Sequence, residues 1–437
     1  MTYQRVKGTE DFYPEEQGRL DALFSKLDAA CRAYGFLHVE PPILESFKLL
    51  SAKSGDEIKE QIFMLEKRGD EELSLRPEFT PGFARMLVAK QRELPKPVKW
   101  YTINRVWRYE APQKGRSREF YQLNVELYGS PRPEADAEII NLAIACLKST
   151  GLTAKDFVVK LNNRKLVQGL LDVLAPKESQ DAIMRAIDKS KKISEDELLR
   201  ELKNAGLTAD KAEMVKKLIS MSGTPDKLSA AVLNIGTNAQ VTEGLAELEK
   251  VFSLVDSAYA TVDLSIVRGL AYYTGLVFEA QDRDGKLRSI AGGGRYDNLI
   301  GTYGGESMPA TGFAIGDKVL SIFLAEKGLT PALQLGPDVY VAPVDEKVYP
   351  EALACAQELR ASGVRCDIDL LGRKLAKQFD YANSIGAKFV IIVGEKDLAT
   401  GNITLRDLAA GAEEKIPRNK IAETLRQMIH TRSKKSQ

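Results

Sequence analysis

Hydrophobic and polar positions along the chain change their spacing several times. Between Gln17 and Ala33 apolar residues recur with helical period, placing Leu20, Leu23, Phe24 and Leu27 on one face. HVEPPILES follows as an extended segment, because its paired prolines forbid helix continuation. ELSLRPEF, VKWYTINRVWRYE and FYQLNVELYG cluster or alternate β-formers, which predicts antiparallel strands, with the polar loop APQKGRSRE between the last two. From about Leu166 to Val251 the period is helical again, Lys and Glu abound and strand signals are lacking, so this stretch reads as a helical insertion in a strand-rich core. Strand-like segments return with IVRGLAYYTGLVFEAQ and resume up to ATGFAIGDKVLSIFLAEKG.

Beyond the linker LTPALQLGP the pattern becomes VYVAPVD, a helix, VRCDIDL, a helix, and KFVIIVGE. Apolar strands alternating with helices predict a small α/β domain with a largely parallel sheet. The expected organisation is an α+β core with an antiparallel sheet in two parts, 1–165 and 252–328, a helical insertion at 166–251, a linker at 329–337, an α/β domain at 338–430 and a disordered basic tail at 431–437.

Bulk properties narrow the chemistry. At 437 residues the chain exceeds one core, and 44% hydrophobic with 28% charged residues is the balance of an ordinary soluble protein. No apolar run is long enough to span a bilayer, and the first residues have no apolar signal-peptide core, so the chain reads as cytoplasmic and free of membrane contact. Cys31, Cys146, Cys355 and Cys366 lack CxxC spacing, which argues against a zinc site or a disulfide framework. With His38 and His430 the only histidines, a Ser-His-Asp relay, a histidine base and a multi-histidine metal site are poor expectations. Lys plus Arg number 62 against 61 acidic residues, so any nucleic-acid site must be a local patch. The lysine run at 189–192 reads as a solvated helix face.

Three segments place charges and glycines where packing alone would not want them. In RYEAPQKGRSREFYQLNVELYG, two strands joined by a basic loop put Arg108 on one strand and Gln122, Asn124 and Glu126 on one face of the other. Such a face needs partners, so it reads as the floor of a polar ligand site, with Lys114, Arg116 and Arg118 available to phosphates. RGLAYYTGLVFE and AGGGRYDN combine Arg268 and a tyrosine pair with three glycines beside Arg295, which permit close backbone approach. LRPEFT projects Arg76, Glu78 and Thr80 next to a proline.

Taken in order, these segments resemble the class II aminoacyl-tRNA synthetases, and within them the histidyl-tRNA synthetase family, over almost the whole chain. KGTEDFYP is similar to the family's N-terminal signature, YGFLHVEPPILE to the class's dimer-forming motif 1, and RYEAPQKGRSREFYQLNVE to motif 2 nearly position for position. RGLAYYTGLVFE and AGGGRYD resemble the two motifs peculiar to the histidine enzymes, and GRKLAKQFDYANSIGAKFVIIVGE the anticodon-binding domain. The resemblance implies a homodimer that joins L-histidine to tRNA(His) through an ATP-derived adenylate, with Mg2+ accompanying ATP. It implies Arg108 and Arg268 as the catalytic cations at the α-phosphate, and Glu110, Gln113 and Arg116 in the ATP site, with the loop also meeting the tRNA acceptor end. Glu78, Thr80 and Gln122 match the residues that bind the histidine amino group. Glu126 and Tyr273 match the imidazole readers, with Tyr272 and Tyr296 in the same pocket.

Two positions depart from the family pattern. Motif 3 normally ends in an arginine that engages ATP, where GFAIGDKVL places Val319, so Lys318 or another basic residue must substitute or ATP is held differently. Ala271 stands where an aspartate is usual. The principal rival is a synthetase-like regulatory subunit of ATP phosphoribosyltransferase. That rival predicts a degraded motif 2 loop and no anticodon domain, against Arg108, Gln113, Arg116, Gln122 and Glu126 all in place here. Synthetases for proline, threonine or glycine would lack the RGLAYYTG and AGGGRYD pair, and a plain RNA-binding module leaves Glu78, Gln122 and Glu126 unexplained.

Overall fold

The computed structural model describes residues 3–54, 60–67, 69–191, 193–267 and 272–435. It divides into two compact units, Met1–Phe12 with Leu20–Pro331, and Tyr13–Arg19 with Ala332–Gln437.

Helix α1 (Pro14–Ala33) begins three residues before the predicted start. Pro14 is tolerated in a first turn, where its missing N–H has no helical partner, and Glu15 and Glu16 suit the positive end of the helix. The proline-rich stretch is extended as predicted and holds β1 (Leu37–His38) and β2 (Leu44–Ser46). After α2 (Phe47–Ser54), β2 pairs antiparallel with β3 (Leu73–Leu75), and α3 (Thr80–Lys90) starts with Pro81 in its first turn. β4 (Val98–Trp107) and β5 (Glu119–Tyr128) form a long antiparallel pair. α4 (Pro133–Ser149), the most thoroughly buried helix of this unit, then leads into β6 (Phe157–Asn163).

The insertion comprises α5 (Arg164–Leu174), α6 (Lys177–Lys189), α7 (Glu195–Asn204), α8 (Ala209–Ile219), β7 (Ser222–Gly223), α9 (Pro225–Ile235) and α10 (Ala239–Leu254). Two features differ from the sequence reading. The two-residue β7 pairs with β8 (Ala260–Asp263) at the edge of the main sheet, too short to leave a period-two signal. The insertion is also not one separate body. Leu166, Leu170, Val241, Leu245 and Leu248 belong to the main core with α4, while α6 to α8 build a second core around Ile183, Leu202 and Val215.

β9 (Leu276–Asp282), β10 (Ala291–Arg295), α11 (Leu299–Thr302), β11 (Ala310–Gly316) and α12 (Asp317–Glu326) complete the unit. Among the described residues the main sheet has nine strands in the order β1-β4-β5-β11-β10-β9-β6-β8-β7. Its central pairings, from β4 through β6, are all antiparallel. The strand expected across IVRGLAYYTGLVFEAQ begins only at Leu276, and Ile266 and Val267 are buried loop residues.

In the second unit β12 (Val339–Pro343) lies between β13 (Cys366–Ile368) and β14 (Phe389–Val393), all parallel as predicted. Alternation sends Val339 and Val341 to one face under α13 (Tyr349–Ala361), and Tyr340 and Ala342 to the other under α14 (Leu375–Ser384). After the short α15 (Glu395–Leu398), β15 (Asn402–Asp407) and β16 (Glu413–Pro417) add an antiparallel edge that the sequence reading did not anticipate. α16 (Ile421–Lys435) runs into the stretch expected to be a disordered tail. It continues because Arg432 pairs with Asp407 and sits over the Phe389 ring, 4.7 Å from its centroid.

Candidate active site

One face of the central strands opens on a cavity of about 920 Å³. Its floor is β5. Gln122, Asn124 and Glu126 share the cavity face, as period-two alternation requires, and all three are buried. One Glu126 carboxylate oxygen accepts from the Thr80 hydroxyl at 2.9 Å and from the Asn124 amide at 3.0 Å. The other oxygen faces β11, where Gly312 lies directly opposite. A methyl group built on Gly312 would stand 2.3 Å from that oxygen, so only glycine leaves room for the carboxylate. Gly294 does the same for Tyr273, whose ring would lie 3.0 Å from a Cβ there. Gly293 and Gly294 of AGGGR therefore act as clearance for neighbouring groups.

The rings of Tyr272, Tyr273 and Tyr296 cluster above this floor, with centroids 4.3, 5.8 and 6.1 Å apart. The Tyr296 hydroxyl and the Gln122 side-chain oxygen are buried with no hydrogen-bond partner among the described residues. Unpartnered polar atoms in a cavity wall are costly unless a ligand completes them.

The mouth of the cavity carries positive charge. Arg108 lies one residue past the end of β4 and not on the strand, although its N–H still continues the ladder to the Arg118 carbonyl at 2.9 Å. Its guanidinium donates to the Pro77 carbonyl at 3.0 Å and lies over the Phe120 ring. The loop to β5 closes in a tight turn in which Gln113 and Arg116 exchange backbone hydrogen bonds, with Gly115 at φ 78°. Arg116 is paired with Glu110 at 2.8 Å, and both line the cavity. Gln113 does not line it; its side chain accepts from Arg288 at 3.0 Å. Glu78, Thr80, Arg108, Glu110, Arg116, Gln122, Glu126, Tyr272, Tyr273 and Tyr296 are thus brought around one cavity. Arg268 and Ala271 lie outside the described residues.

Several groups flagged in the sequence do structural work. Arg295 is buried and binds Asp136 at 2.9 Å, Asp297 at 3.1 Å and two carbonyls, tying β10 to α4. Burial pushes the Asp136 carboxyl up to about 6, against the pull of Arg295. Arg76 is buried, donates to the Arg105 carbonyl of β4 at 3.1 Å and binds Glu40 at 2.8 Å. Lys114 reaches Glu326, and Arg118 lies over Tyr109. Lys318, a candidate stand-in for the motif 3 arginine, is held by Glu10 at 2.7 Å and by Asp317 at 3.7 Å. Asp317 accepts the Tyr121 N–H, and burial raises its carboxyl to about 6 despite Lys318. Cys31 and Cys146 meet in the core, where their mutual hydrogen bond and then burial push the Cys146 thiol up.

The sequence reading missed Lys160, Lys191, Glu279 and Arg288, all of which line the cavity. Lys189 pairs with Glu201 as a helix-face lysine should, but Lys191 turns inward to Asp263 at 3.3 Å, and Lys192 lies outside the described residues. Desolvation, reinforced by Lys160, lowers the Lys191 ammonium below the usual lysine range. The alternation of β9 could have signalled Glu279. Nothing local distinguishes Arg288 from an ordinary hairpin charge.

Residues 8–320 match the family model for histidyl-tRNA synthetase, and residues 338–428 match an anticodon binding domain. The chain belongs to the histidyl-tRNA synthetase family. The histidine–tRNA ligase of Pyrococcus furiosus is 41% identical over 436 residues, covering 98% of this chain and 100% of the relative. That of Pyrococcus abyssi is 42% identical over 435 residues, covering 98% and 99%. The crystal structure of histidyl-tRNA synthetase from Nostoc sp. PCC 7120 aligns with a TM-score of 0.84 at 27% identity, covering 98% of this chain and all of that one. The antiparallel core and the separate C-terminal sheet are the architecture expected of this family.

Proposed function

We propose that the chain joins L-histidine to tRNA(His) in two steps at this cavity. The carrying observation is the buried Glu126, clamped by Thr80 and Asn124 under a tyrosine cluster, in the same cavity as Arg108 and Arg116. A fixed carboxylate suits an imidazole N–H, and an apolar amino acid in the same place would desolvate that charge further and give no N–H in return.

In the first step the histidine carboxylate attacks the ATP α-phosphorus, a P–O bond forms and pyrophosphate leaves with the electrons of the broken anhydride bond. Arg108 and Arg268 stabilise the charge that develops, as guanidinium groups paired with phosphate oxygens do. The carboxylate is already ionised, so no general base is required. Glu78, Thr80 and Gln122 hold the amino group, Glu126 and Tyr273 read the imidazole, and Tyr272 and Tyr296 close the pocket. Glu110, Gln113 and Arg116 serve the nucleotide and the incoming acceptor end. In the second step the terminal ribose hydroxyl of the tRNA attacks the adenylate carbonyl and AMP leaves.

Mg2+, where it accompanies the nucleotide, would neutralise phosphate charge. Among the described residues no group of three or more His, Cys, Asp or Glu is placed to hold a metal ion. Phosphates with one or two carboxylates is the usual mode for this cation, and the carboxylates that would hold it are among those lining the cavity, which include Glu78, Glu110 and Glu279. A homodimer is part of the same reading, supported by the exposure of Leu37, Ile43 and Leu44 in the motif 1 segment. So is a cytoplasmic location, supported by four unpaired cysteines and by the lack, among the described residues, of any helix long and apolar enough to cross a membrane.

Histidine-dependent ATP–pyrophosphate exchange, set beside proline, threonine and glycine, tests the reading. Exchange with histidine alone supports it. A folded protein that binds histidine but exchanges with none of them would be the regulatory subunit instead. Arg268→Ala should slow adenylate formation by orders of magnitude with little change in histidine affinity, and an unchanged rate would remove Arg268 from its role.

A further inference from the structure

The cations lining the cavity differ in what already neutralises them. Lys160 and Lys191 share Asp263 at 3.0 and 3.3 Å, Arg116 holds Glu110 at 2.8 Å, and Lys318 holds Glu10 at 2.7 Å. Arg108, which donates to the Pro77 carbonyl, and Arg288 have no carboxylate within ion-pair distance among the described residues; the Arg288 guanidinium donates to the neutral side-chain oxygen of Gln113 at 3.0 Å. It is carried on a built hairpin between β9 and β10. The buried Asp282 accepts the N–H groups of Lys286 at 2.9 Å and Leu287 at 3.0 Å, and Gly285 turns the chain at φ 67°. Gly285, Leu287, Arg288 and Ser289 all line the cavity opposite the motif 2 turn.

The cavity wall beside that turn has no cation of its own at position 319. Val319 packs on the main core, 3.3 Å from where a Cβ of Gly115 would stand, and Lys318 is committed to acidic neighbours. A triphosphate brings several negative charges into this mouth, and the charge already present is largely spent on carboxylates.

We propose that Arg288 binds the β- and γ-phosphates of ATP, supplying from the β9–β10 hairpin the cation that position 319 lacks. A guanidinium forks onto two phosphate oxygens, and its neutral partner Gln113 orients it without cancelling its charge. The same contact joins the hairpin to the motif 2 turn, so a bound triphosphate would draw both onto itself. The inference rests on the proposed function only in taking ATP as the ligand.

The test is calorimetric titration of wild type, Arg288→Ala and Arg288→Lys with ATP and, separately, AMP, alongside thermal unfolding. Arg288→Ala should weaken ATP binding about tenfold or more and AMP binding about twofold or less, with Arg288→Lys between. Unfolding temperatures should coincide, since the side chain is exposed and makes one neutral contact. Equal losses for ATP and AMP, or no loss for either, would overturn the proposal. Failure of the synthetase reading is separately visible: wild-type protein would give no histidine-dependent exchange, whatever the ATP-to-AMP split.

Discussion

The floor and the mouth of the cavity are made by different physics. On the floor, Gln122, Asn124 and Glu126 are buried on a central strand, with Glu126 held by hydrogen bonds from Asn124 and Thr80 and fitted against Gly312 with no spare volume. At the mouth, Arg116 is about half exposed, with 49% of its side chain accessible, and Arg288 and Lys318 hang from a hairpin and a helix start. A buried polar floor selects by shape and by the cost of leaving a group unpaired. An exposed cationic mouth selects by charge, tolerates movement and is screened by salt. The floor should therefore fail sharply to small changes and the mouth gradually, which the following outcomes test in descending size.

Glu126→Ala should weaken histidine binding by about a hundredfold or more, near 3 kcal/mol, because the imidazole loses a desolvated partner. Calorimetry that finds tight histidine binding retained would sink the assignment. Asp317→Asn probes the joint between floor and mouth. Its carboxyl rises from 3.8 to about 6 in the folded state, so the folded protein holds the proton more tightly and the stability contribution falls as pH rises from about 4 through 6. The substitution should stabilise the protein at pH 7.5 by up to about 3 kcal/mol and by little near pH 4. Urea melts that differ by the same amount at both pH values would disprove that account.

Gly312→Ala should cost about 1–3 kcal/mol of stability and displace Glu126, since the new methyl meets the carboxylate and the Val125 carbonyl. Histidine affinity should fall with it, whereas a variant as stable and as tight as wild type would show that the floor can give way. Arg116→Ala should cost under about 1 kcal/mol of stability, because its ion pair with Glu110 is half exposed. Its effect on ATP binding should shrink as salt rises. A salt-independent loss would mean that the mouth is as rigid as the floor.

The parts of the site that were legible in the sequence lie on regular elements. Strand alternation placed Gln122, Asn124 and Glu126 on one face, and AGGGR announced close backbone approach. Arg295 shows the limit of such reading, because a charged residue beside three glycines looks functional until Asp136 and Asp297 are seen to saturate it. Lys318 was similarly ambiguous, and Glu10, more than three hundred residues away in sequence, settles its partner. The inward turn of Lys191 and the contact between Arg288 and Gln113 join segments whose local patterns carry no sign of each other.

By itself the sequence determined the antiparallel core, the helical stretch that interrupts it, the C-terminal parallel strands and the family. Each of these follows from periodicity or from residues adjacent in the chain. Tertiary structure alone decided which charges are already neutralised, which glycines serve as clearance, how α5 and α10 merge with the main core, and that α16 extends into the expected tail. The reason is that pairing, clearance and packing depend on distances between remote segments, and a one-dimensional pattern of side-chain types does not encode them.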